Sequence, residues 1–154
     1  MALEFDWLGI ADGSTNDSRG ALALVGVGHN VIVARSVPHQ TQRVLIVMIV
    51  DESGNTLAEG TAVSFDFKLT APSGRTLMAN TQMITIPPSA TLIDLPSDAS
   101  GRGFQLVAGL GLQVTEYGVH TIRAAVTVGE VELVRSRNLH VIPPRDGFLT
   151  ENPG

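Results

Sequence analysis

Apolar and polar residues alternate with a period of two through much of this chain. The clearest case lies in the C-terminal third. There Ile122, Ala124, Val126 and Val128 share one face, and Thr121, Arg123 and Thr127 the other. Such alternation predicts a strand buried on one side only. Gly129-Glu130 supplies a turn, and residues 131–142 return as a partner strand closed by Pro143-Pro144. Residues 61–70 repeat the pattern, with Val63, Phe65, Phe67 and Leu69 opposed to Ser64, Asp66 and Lys68. Pro72-Ser73-Gly74 turns the chain, and residues 77–86 return.

Further strands are predicted over residues 5–11, 21–27, 30–34, 43–50 and 104–114, with a short partner at 56–58. Residues 43–50 are the most apolar and belong at the centre of a sheet. Residues 12–18 read as a polar loop, 51–55 as a turn and 87–103 as a long connection. No window carries apolar residues at helical spacing, and β-branched residues dominate the apolar set. Many short strands separated by turns predict an all-β fold, an antiparallel sandwich of seven to nine strands. Its core would hold Val25, Leu45, Val47, Ile49, Phe65, Phe67, Leu106, Ile122 and Val126. Residues 1–142 are expected to form the sandwich, and residues 143–154 a Pro/Gly-rich extended tail.

The Tyr117-Gly118 pair before the last hairpin is how many immunoglobulin-like sandwiches finish, so that version of the fold is the one expected. A broader likeness supports it. Phe5-Asp6-Trp7-Leu8-Gly9-Ile10-Ala11-Asp12 is followed by a polar loop and by Leu22-Ala23-Leu24-Val25-Gly26. An Asp-x-x-Gly turn comes later at Asp51 to Gly54, and then the Tyr117 hairpin. Together these resemble an uncharacterised bacterial family of small immunoglobulin-like proteins. The resemblance implies a fold and carries over no activity and no catalytic residue.

Charge narrows the partners. Ten basic residues stand against fifteen acidic, a formal net charge of −5. That excludes sequence-independent nucleic-acid binding, which needs a basic face. Charged residues are 16% of the chain, against about 25% in an average soluble domain. Mean hydropathy is +0.21. Either a Thr/Ser/Gly-rich surface needs few charges, or other subunits cover part of it. No apolar run approaches the roughly 20 residues of a membrane helix, so no membrane partner is expected. The first residues lack the basic region of a secretory signal. Cysteine is absent, which removes disulfides and Cys-based zinc sites. A cytoplasmic or virion location is expected.

Candidate chemistry is sparse. Asp12-Gly13-Ser14-Thr15-Asn16-Asp17 has oxygen side chains at alternate positions, as calcium loops do. It lacks the glycine at position six and the glutamate at position twelve, where Asp17 and Ala23 stand. A polar turn is the simpler reading. Of His29, His39, His120 and His140, the last two fall opposite each other if the final hairpin has a three-residue loop. A two-residue loop puts them on opposite faces. Two histidines without a third ligand make a poor zinc site. Asp51-Glu52 reads as a solvated turn. No serine stands in a nucleophile-elbow context. Neither Gly26 and Gly28 nor Gly109 and Gly111 open a phosphate loop. Arg123, Arg135 and Arg137 share the last hairpin with Glu130 and Glu132, a mixture that keeps a face or edge soluble.

No catalytic, cofactor-binding or metal-binding residue is therefore expected, and no enzymatic activity. The expected function is a structural or interaction module. It would be a subunit of a larger assembly, such as a phage or other bacterial shell or tail, with itself or other subunits as partners. The alternative is a module whose loops bind a sugar or a cation.

Overall fold

A computed structural model describes residues 3–16, 22–25, 30–51, 57–86 and 102–145. They form ten strands. These are β1 (Leu3–Ala11), β2 (Gly13–Asn16), β3 (Leu22–Val25), β4 (Val31–Val33), β5 (His39–Asp51), β6 (Ala62–Thr70), β7 (Thr76–Thr85), β8 (Arg102–Val114), β9 (Gly118–Val128) and β10 (Val131–Ile142). The small sheet has three strands in the order β1-β5-β8, and the large sheet five in the order β4-β10-β9-β6-β7. β2 and β3 pair as a separate hairpin. The all-β sandwich expected from the alternation is the architecture found.

Three expectations need correction. The large sheet is mixed, because β4 runs parallel to β10 with His140 opposite Val31 and Ile142 opposite Val33. Hairpins force their neighbours antiparallel, but β4 and β10 are joined through most of the domain and nothing local sets their direction. The strand number exceeds nine because Gly13–Asn16, whose composition reads as loop, pairs with Leu22–Val25. Leu57, placed in a short strand, lies in a turn and is fully buried.

The core lies between the sheets and follows the period of two. Leu45, Val47 and Ile49 of β5 point inward, as do Val63, Phe65, Phe67 and Leu69 of β6 and Ile122, Ala124, Val126 and Val128 of β9. Phe65 stacks on Phe67 at 6.4 Å between ring centroids and on Phe104 of β8 at 6.1 Å, so aromatic contact joins the layers. Burying one such side chain contributes about 1.5–3 kcal/mol. Leu106 is only partly buried against this cluster. The side chain of Val25 lies outside the described residues.

Local chemistry sets the ends. The Tyr117 hydroxyl donates to the Ala34 carbonyl at 2.9 Å. Ala34 N–H in turn donates to the Ile142 carbonyl at 3.0 Å, so Tyr117 locks the chain after β4 against the end of β10. Gly118 has φ 123°, and a Cβ there would stand 2.9 Å from Pro72 Cγ. Glycine is required by backbone conformation and by space. Glu116 accepts from Ser73 N–H at 2.7 Å, tying the β6–β7 turn to the chain entering β9.

Candidate interaction surface

The outer face of the small sheet is built by residues that alternate with the core. Register places Trp7 beside Met48, Gly9 beside Ile46, and Ala11 beside Val44. On the other side, Met48 meets Gln105, Ile46 meets Val107, Val44 meets Gly109, and Gln42 meets Gly111. Between these positions the face carries no charged side chain. Trp7, Val44, Met48 and Val107 are partly exposed there, whereas Ile46 and Ala11 on the same face are fully buried. Trp7 lies across Gly9, where a Cβ would come within 2.2 Å of the indole. At Gly109 a Cβ would meet nothing within 4 Å, so the face is open at that point.

The outer face of the large sheet differs. It carries Asp66, Lys68, Arg123 and Glu132 among Ser64, Thr81, Thr121, Thr127, Ser136 and Asn138. Thr81 donates its hydroxyl proton to Asp66. Met83 and Val134, 72% and 46% exposed, are its larger apolar residues. A solvated face reads like this one.

The two flanks also differ. β1 lies against β10. There Arg137 donates through Nε to the Leu8 carbonyl at 3.0 Å, and the Arg135 guanidinium sits 5.4 Å above the Phe5 ring. The expectation that these arginines keep an outer face soluble holds for Arg123 alone. By register, Arg135 and Arg137 stand on the inward row of β10, between Leu133 and Leu139. Beside Arg137 a cleft of about 270 Å³ is lined by Trp7, Gly9, Asn30 and Asn138. On the opposite flank β7 and β8 end their sheets.

The remaining polar candidates do not converge. Strand formation over Gly13–Asn16 holds the chain extended, with same-face positions about 6.6 Å apart, so this stretch does not wrap around a cation as a calcium loop does; Asp17 lies outside the described residues. Asp12 instead pairs with Arg43 at 3.5 Å. Burial lowers the Arg43 pKa and the Asp12 charge acts in the opposite sense; a guanidinium stays charged regardless. Arg43 also donates to Thr41 Oγ1 at 2.7 Å and to the Gln42 carbonyl at 2.9 Å. The last hairpin has a two-residue turn, Val128 opposing Val131. His120 therefore points into the core, fully buried, with Nδ1 3.2 Å from the Gly118 carbonyl. His140 points the other way. His39 stands apart at the start of β5, and His29 lies outside the described residues. Asp51 is no solvated turn residue. It ends β5, is fully buried, and accepts from Leu57 N–H at 2.9 Å. Glu52 is outside the described residues. Among the described residues no three His, Asp or Glu side chains form a group able to hold a metal. Among the described residues there is no helix long and apolar enough to cross a membrane.

No protein-family model matches the chain, and no curated protein matches it. Among solved structures it is similar to the C-terminal domain of wzt, with a TM-score of 0.52 and 12% sequence identity. That likeness covers 98% of this chain and 84% of the other. At this identity it concerns the fold alone.

Proposed function

We propose that this chain is an immunoglobulin-like interaction module without enzymatic activity. It works as a subunit of a larger protein assembly, of the kind that builds a phage or other bacterial shell or tail. Its partners are copies of itself or other subunits, with no nucleic acid or membrane among them. The observation that carries this reading is the uncharged stretch of the small sheet's outer face from Trp7 and Met48 to Gln42; exposed Glu4, opposite Val50, and Asp6 stand beyond its end. A solvated sheet face alternates with polar and charged residues, as the large sheet does. Here Trp7, Val44, Met48 and Val107 stand in register with or next to Gly9, Gly109 and Gln105. Depletion of charge around a central aromatic residue is the composition of an interface core. The two-sheet arrangement and the closing β9–β10 hairpin after Tyr117-Gly118 support the immunoglobulin-like form of the sandwich.

The test uses the single tryptophan of the chain. Sedimentation should show assembly as concentration rises, with acrylamide quenching of Trp7 falling in step. Met48→Lys with Val107→Lys should remove that protection and keep the melting temperature within a few degrees. Quenching that stays constant across the assembly range rules this face out.

A second reading rests on the cleft beside Arg137. An indole next to two amides and a guanidinium suits the apolar face and hydroxyl rim of a sugar ring. Trp7 fluorescence, titrated with neutral oligosaccharides in dilute monomeric protein, distinguishes the two. A saturable shift there favours the sugar site.

A further inference from the structure

We propose that β7 pairs antiparallel with β7 of a second copy, joining two large sheets into one continuous sheet about a twofold axis at Thr81. This inference rests on the interaction-module reading and names one partner for it.

An edge strand presents a row of unpaired N–H and C=O groups. Proteins guard such edges with lysine, proline, bulges or short strands. The β1 flank is guarded in this way, since Arg137 takes up the Leu8 carbonyl and the three-residue β4 ends the large sheet beside β10. β7 has one bulge, at Leu77 near its start, and no such guard from Met78 onward. Its ten residues, Thr-Leu-Met-Ala-Asn-Thr-Gln-Met-Ile-Thr, include no charge, proline or glycine. Seven of its ten residues are exposed, and among the described residues its far edge has no strand partner.

The order of residues in β7 identifies the occupant. A twofold axis normal to the sheet sets each residue opposite a partner residue on the same face. With Thr81 on the axis, Asn80 meets the partner's Gln82, an amide pair on one face. Met83 meets the partner's Ala79 on the other face, which covers the most exposed large apolar side chain of the described residues. Met78, partly buried at the core margin, meets the partner's Ile84. Apolar thus meets apolar, and amide meets amide, from Met78 to Ile84; beyond them, Leu77 meets the partner's Thr85. The charges of the large sheet, Asp66, Lys68 and Arg123, stand on β6 and β9, so none is forced against its own copy. An unrelated extended peptide would need no such internal symmetry.

The experiment uses the full chain. Sedimentation from micromolar to millimolar concentration should show a dimer, with hydrogen-exchange protection of residues 76–85 rising in parallel. Thr81→Lys sets two ammonium groups against each other on the axis, and Thr81→Glu two carboxylates. Each alone should raise the dimer dissociation constant by about tenfold or more, the effect of roughly 1.4 kcal/mol. Mixing the two variants should restore dimerisation, with circular dichroism unchanged throughout. Restoration on mixing is specific to pairing at the axis and is not produced by a merely misfolded variant. Three results would overturn the proposal. In the first, a dimer is unaffected by either charge, which moves the contact elsewhere and leaves the module reading standing. In the second, protection of 76–85 does not depend on concentration, so the chain covers its own edge. In the third, the protein stays monomeric at every concentration. In the second case the Trp7 quenching experiment decides the module reading separately; in the third, self-association fails through every face, and the module reading stands only if another subunit is the partner.

Discussion

Gly9 lacks a side chain because the Trp7 indole fills the space that one would need. Gly9→Ala should drive the ring off the sheet, and the emission of this single tryptophan should move to longer wavelength. An unchanged spectrum would mean that Trp7 does not lie across Gly9. Asp51 acts at the same scale. Its carboxylate accepts from the Leu57 N–H in a fully buried site. Asp51→Ala leaves that donor unpaired and should destabilise by about 1–3 kcal/mol in chemical denaturation. Composition alone places Asp51 in a solvated turn, because Asp51-Glu52-Ser53-Gly54-Asn55 is turn chemistry. Burial there is decided by Leu57 and by the end of β5, and neither shows in the local pattern. His120 is the same lesson in a core position. Alternation along β9 puts it on the face of Ile122 and Ala124, and the turn length decides only whether His140 stands opposite it.

Among elements, β6 is the one most fully legible in the sequence. Its alternation is strict, and its buried and open positions fall where period two puts them. Phe65→Ala should cost about 3–5 kcal/mol, because a cavity opens between the sheets beside Phe67 and Phe104. Ser64→Ala, on the outer face, should stay within about 0.5 kcal/mol. Equal losses in urea titrations would mean that the strand register is wrong. β4 falls within the strand expected over residues 30–34, but β2 does not show in the sequence, for a physical reason. A strand of three or four residues has too few positions to show a period, and its existence depends on a partner elsewhere in the chain. β5 runs beyond its apolar run, through Gln40, Gln42 and Arg43, because its pairing with β8 continues to His39 opposite Val114.

At the scale of the whole molecule, charge is distributed unevenly over the surface. The large sheet keeps its outer charges, and the small sheet shows none between Trp7 and Gln105. Assembly through the small sheet should therefore resist salt. Charge-driven contacts weaken once the Debye length falls to about 3 Å at molar ionic strength, whereas apolar burial does not. Sedimentation at low and at molar sodium chloride should give the same or stronger association. Marked dissociation by salt would point to Asp66, Lys68 and Arg123 instead. The low charge content of the sequence anticipates a covered surface but cannot say which one.

The sequence by itself determined the strands, their two faces and most of the core, because side-chain direction along a strand is a local steric property with a period of two. It also set the turns at Pro72 to Gly74 and at Gly129-Glu130. Only the tertiary structure decided which strands meet. Pairing joins residues far apart in the chain, and hydrogen bonds between strands carry no sequence code. The parallel β4–β10 pair, the buried Asp51, the inward Arg135 and Arg137, and the uncharged stretch shared by β1, β5 and β8 all arise at that level. Each is a property of neighbours that the chain brings together only when it folds.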